Sequence, residues 1–111
     1  DDYEYTTRIS EKYSCYYVAN SEVVHKIKNN MMPNIATDSK ERIERYFYEY
    51  RNGYYVVRHK GAKTKLLYFA NVFKAIKEIV TRSEGYKMRR IKVVVRGVLS
   101  GIGFRPSVEQ V

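Results

Sequence analysis

Arg51, Tyr54, Arg58, Lys60, Lys63 and Lys65 crowd one short stretch of the chain, and Arg89, Arg90, Lys92 and Arg96 crowd another. Cations at this density neutralise phosphates and release counterions, while interleaved aromatic rings offer π-faces to bases. The chemistry implied is the grip of a polyanion. Phosphate contacts are expected from Arg58, Lys60, Lys63, Lys65, Arg89, Arg90, Lys92 and Arg96, and base contacts from Tyr54 and Arg58. Most of the 12 tyrosines must also build a core, since the chain has no tryptophan and four phenylalanines. Catalytic groupings are sparse. His25 and His59 stand alone without a paired histidine at ligand spacing. Glu78, Glu84 and Glu109 are the only acidic residues after residue 50, which disfavours a carboxylate-held metal where the basic residues lie. No cofactor, metal site or enzymatic activity is expected.

Charge is the strongest global signal. The 111 residues carry 21 Lys and Arg against 12 Asp and Glu, a formal charge of +9. Residues 1–50 hold 7 basic and 9 acidic side chains, whereas residues 51–111 hold 14 basic and 3 acidic. The second half therefore carries the positive field, which attracts nucleic acid most simply and an acidic membrane or protein less often. Cys15 is the single cysteine, so no intrachain disulfide and no thiolate metal cluster can form, consistent with a reducing compartment. The start, Asp-Asp-Tyr-Glu-Tyr, is acidic, unlike a signal peptide, and no apolar run approaches the roughly 20 residues of a membrane span. The expectation is a cytoplasmic protein, nucleoid-associated if it binds DNA, making no membrane contact. A start without Met leaves open whether residues precede Asp1.

Length predicts one domain with one modest core: a polar lead-in over 1–12, an α+β domain over 13–96 and a glycine-containing tail over 97–111. Tyr13 to Ala19 reads as a strand, followed by a helix capped at Asn20 or Ser21 and running to about Asn30. Residues 33–40 form a polar loop, and Asp38 with Glu41 resembles a capping box. From Asp38 two readings stay open. Ile43, Tyr46, Phe47 and Tyr50 have helical spacing, while Tyr46, Tyr48 and Tyr50 alternate as in a strand that Asn52-Gly53 would turn into a hairpin. The helical reading is preferred, with Gly53 as its cap. Tyr54 to His59 and Lys65 to Ala70 are β-branched and aromatic runs expected as strands, with a turn at Lys60-Gly61. Asn71 would cap a helix whose apolar stripe is Val72, Phe73, Ile76, Ile79 and Val80, ending at Gly85 as a C′ residue. Arg89 to Val95 alternates as a last strand, with Arg90, Lys92 and Arg96 on its cationic face. Tyr17-Val18-Ala19-Asn20 echoes Tyr68-Phe69-Ala70-Asn71, as two strand-helix halves would. The fold expected is an antiparallel sheet with helices on one face, in split β-α-β order (β-α-(α)-β-β-α-β). The alternative is three strands followed by one helix.

Two local resemblances bear on function. Tyr54-Tyr55-Val56, Lys60-Gly61, Leu67-Tyr68-Phe69 and Ala75-Ile76 resemble the AP2 and integrase-type DNA-binding domains, whose strands enter the major groove. That resemblance implicates Arg51, Tyr54, Arg58 and Lys65. The chain lacks the family's glycine before the final-strand phenylalanine and adds the 89–96 strand. Gly97-Val98-Leu99-Ser100-Gly101-Ile102-Gly103-Phe104-Arg105 resembles the phosphate-cradling loop of acylphosphatases, in which backbone amides and the arginine hold a phosphate. Here six residues follow Arg105 and no counterpart of the family's catalytic asparagine is evident. Arg105 touching a backbone phosphate is the use it suggests. The combined expectation is a nucleic-acid-binding regulatory or accessory factor of phage or mobile-element type, preferring double-stranded DNA, with homodimerisation open. The alternatives are a tyrosine-rich protein-interaction sheet and an acylphosphatase-like enzyme.

Overall fold

The computed structural model describes residues 2–24, 26 and 32–107. It divides into two compact units, Asp1–Met32 and Pro33–Val111. In the first, a helix α1 (Asp2–Ser10) ends in a turn where the amides of Lys12 and Tyr13 both bond the Ile9 carbonyl. Tyr13 to Val18 has no regular structure, and Tyr16 and Tyr17 are exposed. The second unit holds a 3₁₀ turn (Ile43–Arg45) leading into α2 (Tyr46–Val57), then α3 (Ala62–Arg82) and α4 (Lys87–Gly103).

The helices of the second unit are specified by burial at three- and four-residue spacing. On α4, Arg90, Val93, Val94, Gly97 and Gly101 point inward, and on α3 Val72, Ala75, Ile76 and Ile79 meet the core. On α2, Tyr46 and Tyr50 are buried. Helices α2 and α4 run parallel: Glu44 pairs with Arg89 near one end, and Arg58 reaches the Phe104 carbonyl at the other. Between them in sequence, α3 returns antiparallel to α2, with the Tyr68 hydroxyl donating to the Tyr50 carbonyl at 2.7 Å. Two glycines let α2 and α4 touch. A Cβ on Gly97 would lie 2.8 Å from both the Phe47 carbonyl oxygen and Tyr50 Cβ, and one on Gly101 2.8 Å from the Arg51 carbonyl oxygen and Tyr54 Cβ.

The segment before the 3₁₀ turn is a structural strap. Ile35 and Ala36 are buried in the core. The Asn34 amide donates to Glu78 at 2.9 Å, the Ser83 hydroxyl donates to the Ala36 carbonyl at 2.6 Å, and the Tyr46 hydroxyl donates to the Asp38 carboxylate at 3.0 Å. Burial first, and for Tyr46 the hydrogen bond to Asp38 next, pushes the hydroxyls of Tyr46, Tyr50 and Tyr68 well above the ordinary tyrosine range. These groups resist ionisation when folded and ionise from about pH 10 when unfolded. Their contribution is therefore complete below that pH and is lost as pH rises. The thermal midpoint is expected to be flat from pH 7 to 9 and to fall above about pH 10. The decline should be shallower in a variant carrying Tyr46→Phe, Tyr50→Phe and Tyr68→Phe; an unchanged slope would refute the assignment.

This architecture corrects the expected α+β fold, because among the described residues there is no strand and no sheet. Tyr54 to Val57 completes α2, Lys65 to Ala70 lies within α3 and Arg89 to Val95 within α4. Neither the split β-α-β order nor the three-strand alternative survives. Asn52-Gly53 is not a turn, since Gly53 sits inside α2, where a Cβ would be 3.0 Å from the Tyr68 ring. Asn71 lies in mid-helix, and α3 is capped by Ser83 instead of Gly85. Among the described residues the one left-handed residue is Tyr86, the N-cap of α4, with φ of 58°. The lead-in expected over 1–12 contains α1, and Gly97 to Gly103 belongs to α4. The capping box at Asp38 gives way to the 3₁₀ turn, because the Asp38 carboxylate serves Tyr46, the Ser39 amide and Arg42. Of the helix expected from Asn20 to Asn30, residues 25 and 27–30 lie outside the described residues, and the described part, 20–24 and 26, is not helical. The Lys60-Gly61 turn corresponds to the structure, and of the expected stripe Val72, Ile76 and Ile79 meet the core while Phe73 and Val80 are exposed.

Candidate nucleic-acid interface

One flank of the α2–α4 pair gathers arginines and aromatic rings. Phe47, Tyr48, Arg51, Tyr55 and Arg58 recur at helical spacing along α2 and its C-cap, and α4 supplies Arg96 and, at its own C-cap, Phe104. The Arg51 guanidinium carbon lies 3.8 Å from the Phe104 ring centroid, 5.1 Å from that of Tyr48 and 5.8 Å from that of Phe47. Arg96 stands over Phe47 at 5.5 Å, and Arg58 over Tyr55 at 4.5 Å. Tyr55 meets Phe104 edge to face with centroids 5.6 Å apart. Cations and rings thus alternate from Arg96 through Phe47, Arg51, Phe104 and Tyr55 to Arg58.

Hydrogen bonds fix this ladder without discharging it. Arg51 Nε donates to the Asn52 side chain at 3.0 Å, Arg58 Nη1 to the Phe104 carbonyl at 2.6 Å and Arg58 Nε to His59 at 2.8 Å. Among the described residues no carboxylate lies within ion-pair reach of Arg51, Arg58 or Arg96. A guanidinium stacked on a ring keeps its full charge and leaves edge N–H groups for a planar oxyanion. Tyr48 is 56% exposed and presents an open ring beside the arginines.

The expected site residues divide. Arg51, Arg58 and Arg96 come together in the ladder, Lys92 is exposed about one helical turn before Arg96, and Arg105 is exposed immediately after Phe104. Arg89 faces outward but pairs with Glu44, its Nη2 3.0 Å from the carboxylate. Lys60 lies in the α2–α3 turn, and Lys63 and Lys65 lie near the start of α3, away from the ladder's helices. Two residues are corrected outright. Arg90 is 6% exposed and donates to the carbonyls of Ile35, Asp38 (2.8 Å) and Gly85 (3.1 Å), so it pins the strap to α4 and cannot reach a phosphate. Tyr54 is half-buried and packs against Tyr68, Phe69 and the Gly101 site, so it stands apart from the ladder. The cationic sheet face does not exist: all three of its residues lie on one helix, where Arg90 points inward while Lys92 and Arg96, four residues apart, share an exposed face.

Phe47, Tyr48, Tyr55 and Phe104 were not singled out from the sequence. Their signal was the recurrence of an aromatic or arginine every three to four residues from Phe47 to Arg58, which registers only once that stretch is taken as helix. The Gly97 to Arg105 segment does not form a phosphate-cradling loop: through Gly103 it is helix, with Gly97 and Gly101 against α2. Among the described residues no group of three His, Cys, Asp or Glu could hold a metal, and no helix is long and apolar enough to cross a membrane. The chain matches none of the family models, curated proteins or solved structures with which it was compared.

Proposed function

We propose that the second unit binds nucleic acid along the α2–α4 flank. The observation that carries this reading is the stacking of Arg51, Arg58 and Arg96 on four aromatic rings with no acidic partner among the described residues. Rings hold the guanidiniums in place, so little conformational freedom is lost when they meet phosphates. Arg105 and Lys92 extend the same cationic line, and Tyr48 supplies a ring on which an unpaired base can stack. Double-stranded DNA is the first ligand, because a rigid pair of parallel helices with a row of arginines suits a regular phosphate array. The corresponding role is regulatory or accessory, in the cytoplasm at the nucleoid.

The test is a salt titration of affinity against duplex DNA, single-stranded DNA and RNA. For duplex, log affinity should fall linearly with log salt, with a slope near −0.9 per phosphate contacted. Arg96→Ala and Arg105→Ala should each lower the magnitude of that slope by about 1. Tyr48→Ala should leave the duplex slope unchanged and weaken single-strand binding by about 1–3 kcal/mol. An affinity insensitive to salt, or a slope untouched by both arginine variants, would remove this reading.

A further inference from the structure

We propose that the seam between α3 and α4 is a docking groove for an acidic amphipathic helix of a partner protein. Leu66, Phe69, Phe73 and Val80 make an exposed apolar stripe on α3, and Met88, Val95, Leu99 and Ile102 make one on α4. Both border the same seam. On α3, Phe69, Phe73 and Val80 fall on the opposite side of the helix from Glu78, which bonds Asn34, and the Lys87 ammonium reaches the Val80 carbonyl at 2.8 Å, which puts the end of this stripe beside the start of α4. On α4, Arg96 stacks on Phe47 on the α2 side, which leaves Val95, Leu99 and Ile102 on the other. Half-buried Ile76, Ile91 and Val98 lie between these stripes and the core. Helix α3 approaches α4 less closely than α2 does, and the apolar side chains flanking the α3–α4 seam are exposed.

Shape and charge select the occupant. A rod-like helix can set side chains between two neighbouring helices and cover Ile76, Ile91 and Val98, whereas a bilayer plane would meet only the outer rows. Lys63 and Lys77 on α3 and Lys92 on α4 border the stripes. Glu78 is the sole carboxylate of α3, and α4 has none. A second copy of this chain would set lysines against lysines. A helix with an apolar row and glutamates beside it would satisfy both features.

The experiment uses the full chain and a synthetic amphipathic peptide with leucines at three- and four-residue spacing flanked by glutamates, next to a twin with lysines in their place. Binding of the acidic peptide, weakened by salt and absent for the lysine twin, is the expected result. Phe73→Ser and Leu99→Ser, which add no charge, should each weaken it about tenfold or more, as loss of a central anchor does. These side chains are 72% and 61% exposed, so the thermal midpoint and the duplex DNA slope should not change, which separates failure here from failure of the nucleic-acid reading. Several results would overturn the proposal: equal binding of both peptides, binding of neither, association only with phosphatidylserine vesicles, or a self-association abolished by the same two substitutions.

Discussion

Gly97→Ala is expected to destabilise the second unit by about 1–3 kcal/mol, the usual cost of overpacking a close-packed site. Alanine gains about 1 kcal/mol over glycine in helix propensity, so any net loss must come from the contact. The new methyl would sit 2.8 Å from a backbone oxygen of α2, and neither helix can yield without separating along its length. Gly97→Leu, or Gly97→Ala combined with Gly101→Ala, should leave little folded protein at 25 °C, since domains of this size have few kcal/mol to lose. The control lies in the same helix. Gly103 has nothing within 4 Å of its Cβ position, so Gly103→Ala should be neutral or slightly stabilising. Denaturant titrations of the four variants check this, and equal behaviour of Gly97→Ala and Gly103→Ala would refute direct contact between α2 and α4.

Arg90→Met should cost about 3 kcal/mol or more, because three carbonyls lose their donor together and each buried orphan costs about 1–3 kcal/mol. The methionine keeps much of the apolar stem, so the loss isolates the guanidinium. Arg90→Lys should recover only part of it, since one ammonium cannot span carbonyls from Ile35, Asp38 and Gly85 as a planar fork does. The strap holding Ile35 and Ala36 would loosen first, visible as faster amide exchange at Ala36 and Asp38. Unchanged exchange there, with stability lost elsewhere, would contradict the pinning role.

Some of this was legible in the sequence. The apolar spacing of Val72, Ile76 and Ile79 marked the second half of α3, Gly61 marked the turn before it, and the cation excess after residue 50 marked the half of the chain that carries Arg51, Arg58 and Arg96. The misreadings share one physical origin: β-branched and aromatic residues favour strands only where packing agrees. Ile91, Val93 and Val95 alternate as in a strand, but Val94 is 0% exposed, and Val93, Val94, Gly97, Val98 and Gly101 keep helical spacing throughout. In sequence Gly53, Gly97 and Gly101 look like cap, turn or loop residues, because close approach and backbone freedom use the same amino acid. Only the neighbouring helix distinguishes them. Arg90 was indistinguishable from Arg89 in sequence, although one is buried on carbonyls and the other pairs with Glu44 at the surface. The arginine and aromatic ladder depends on α2 and α4 lying side by side in parallel, which no local pattern announces.

The parallel pairing also governs how the second unit is reached during synthesis. Its bracing contacts join residues 45 and 46 positions apart, Glu44 to Arg89 and Arg58 to Phe104, so closure waits on a long excursion of the chain. A ribosome delivers α2 and α3 well before α4, and until the last helix emerges the faces of Tyr50 and Tyr54 that Gly97 and Gly101 will cover have nothing against them. The nascent chain is thus most prone to aggregate during that interval, and synonymous codons that slow translation between α3 and α4 should lower soluble yield while leaving the stability of the finished protein untouched.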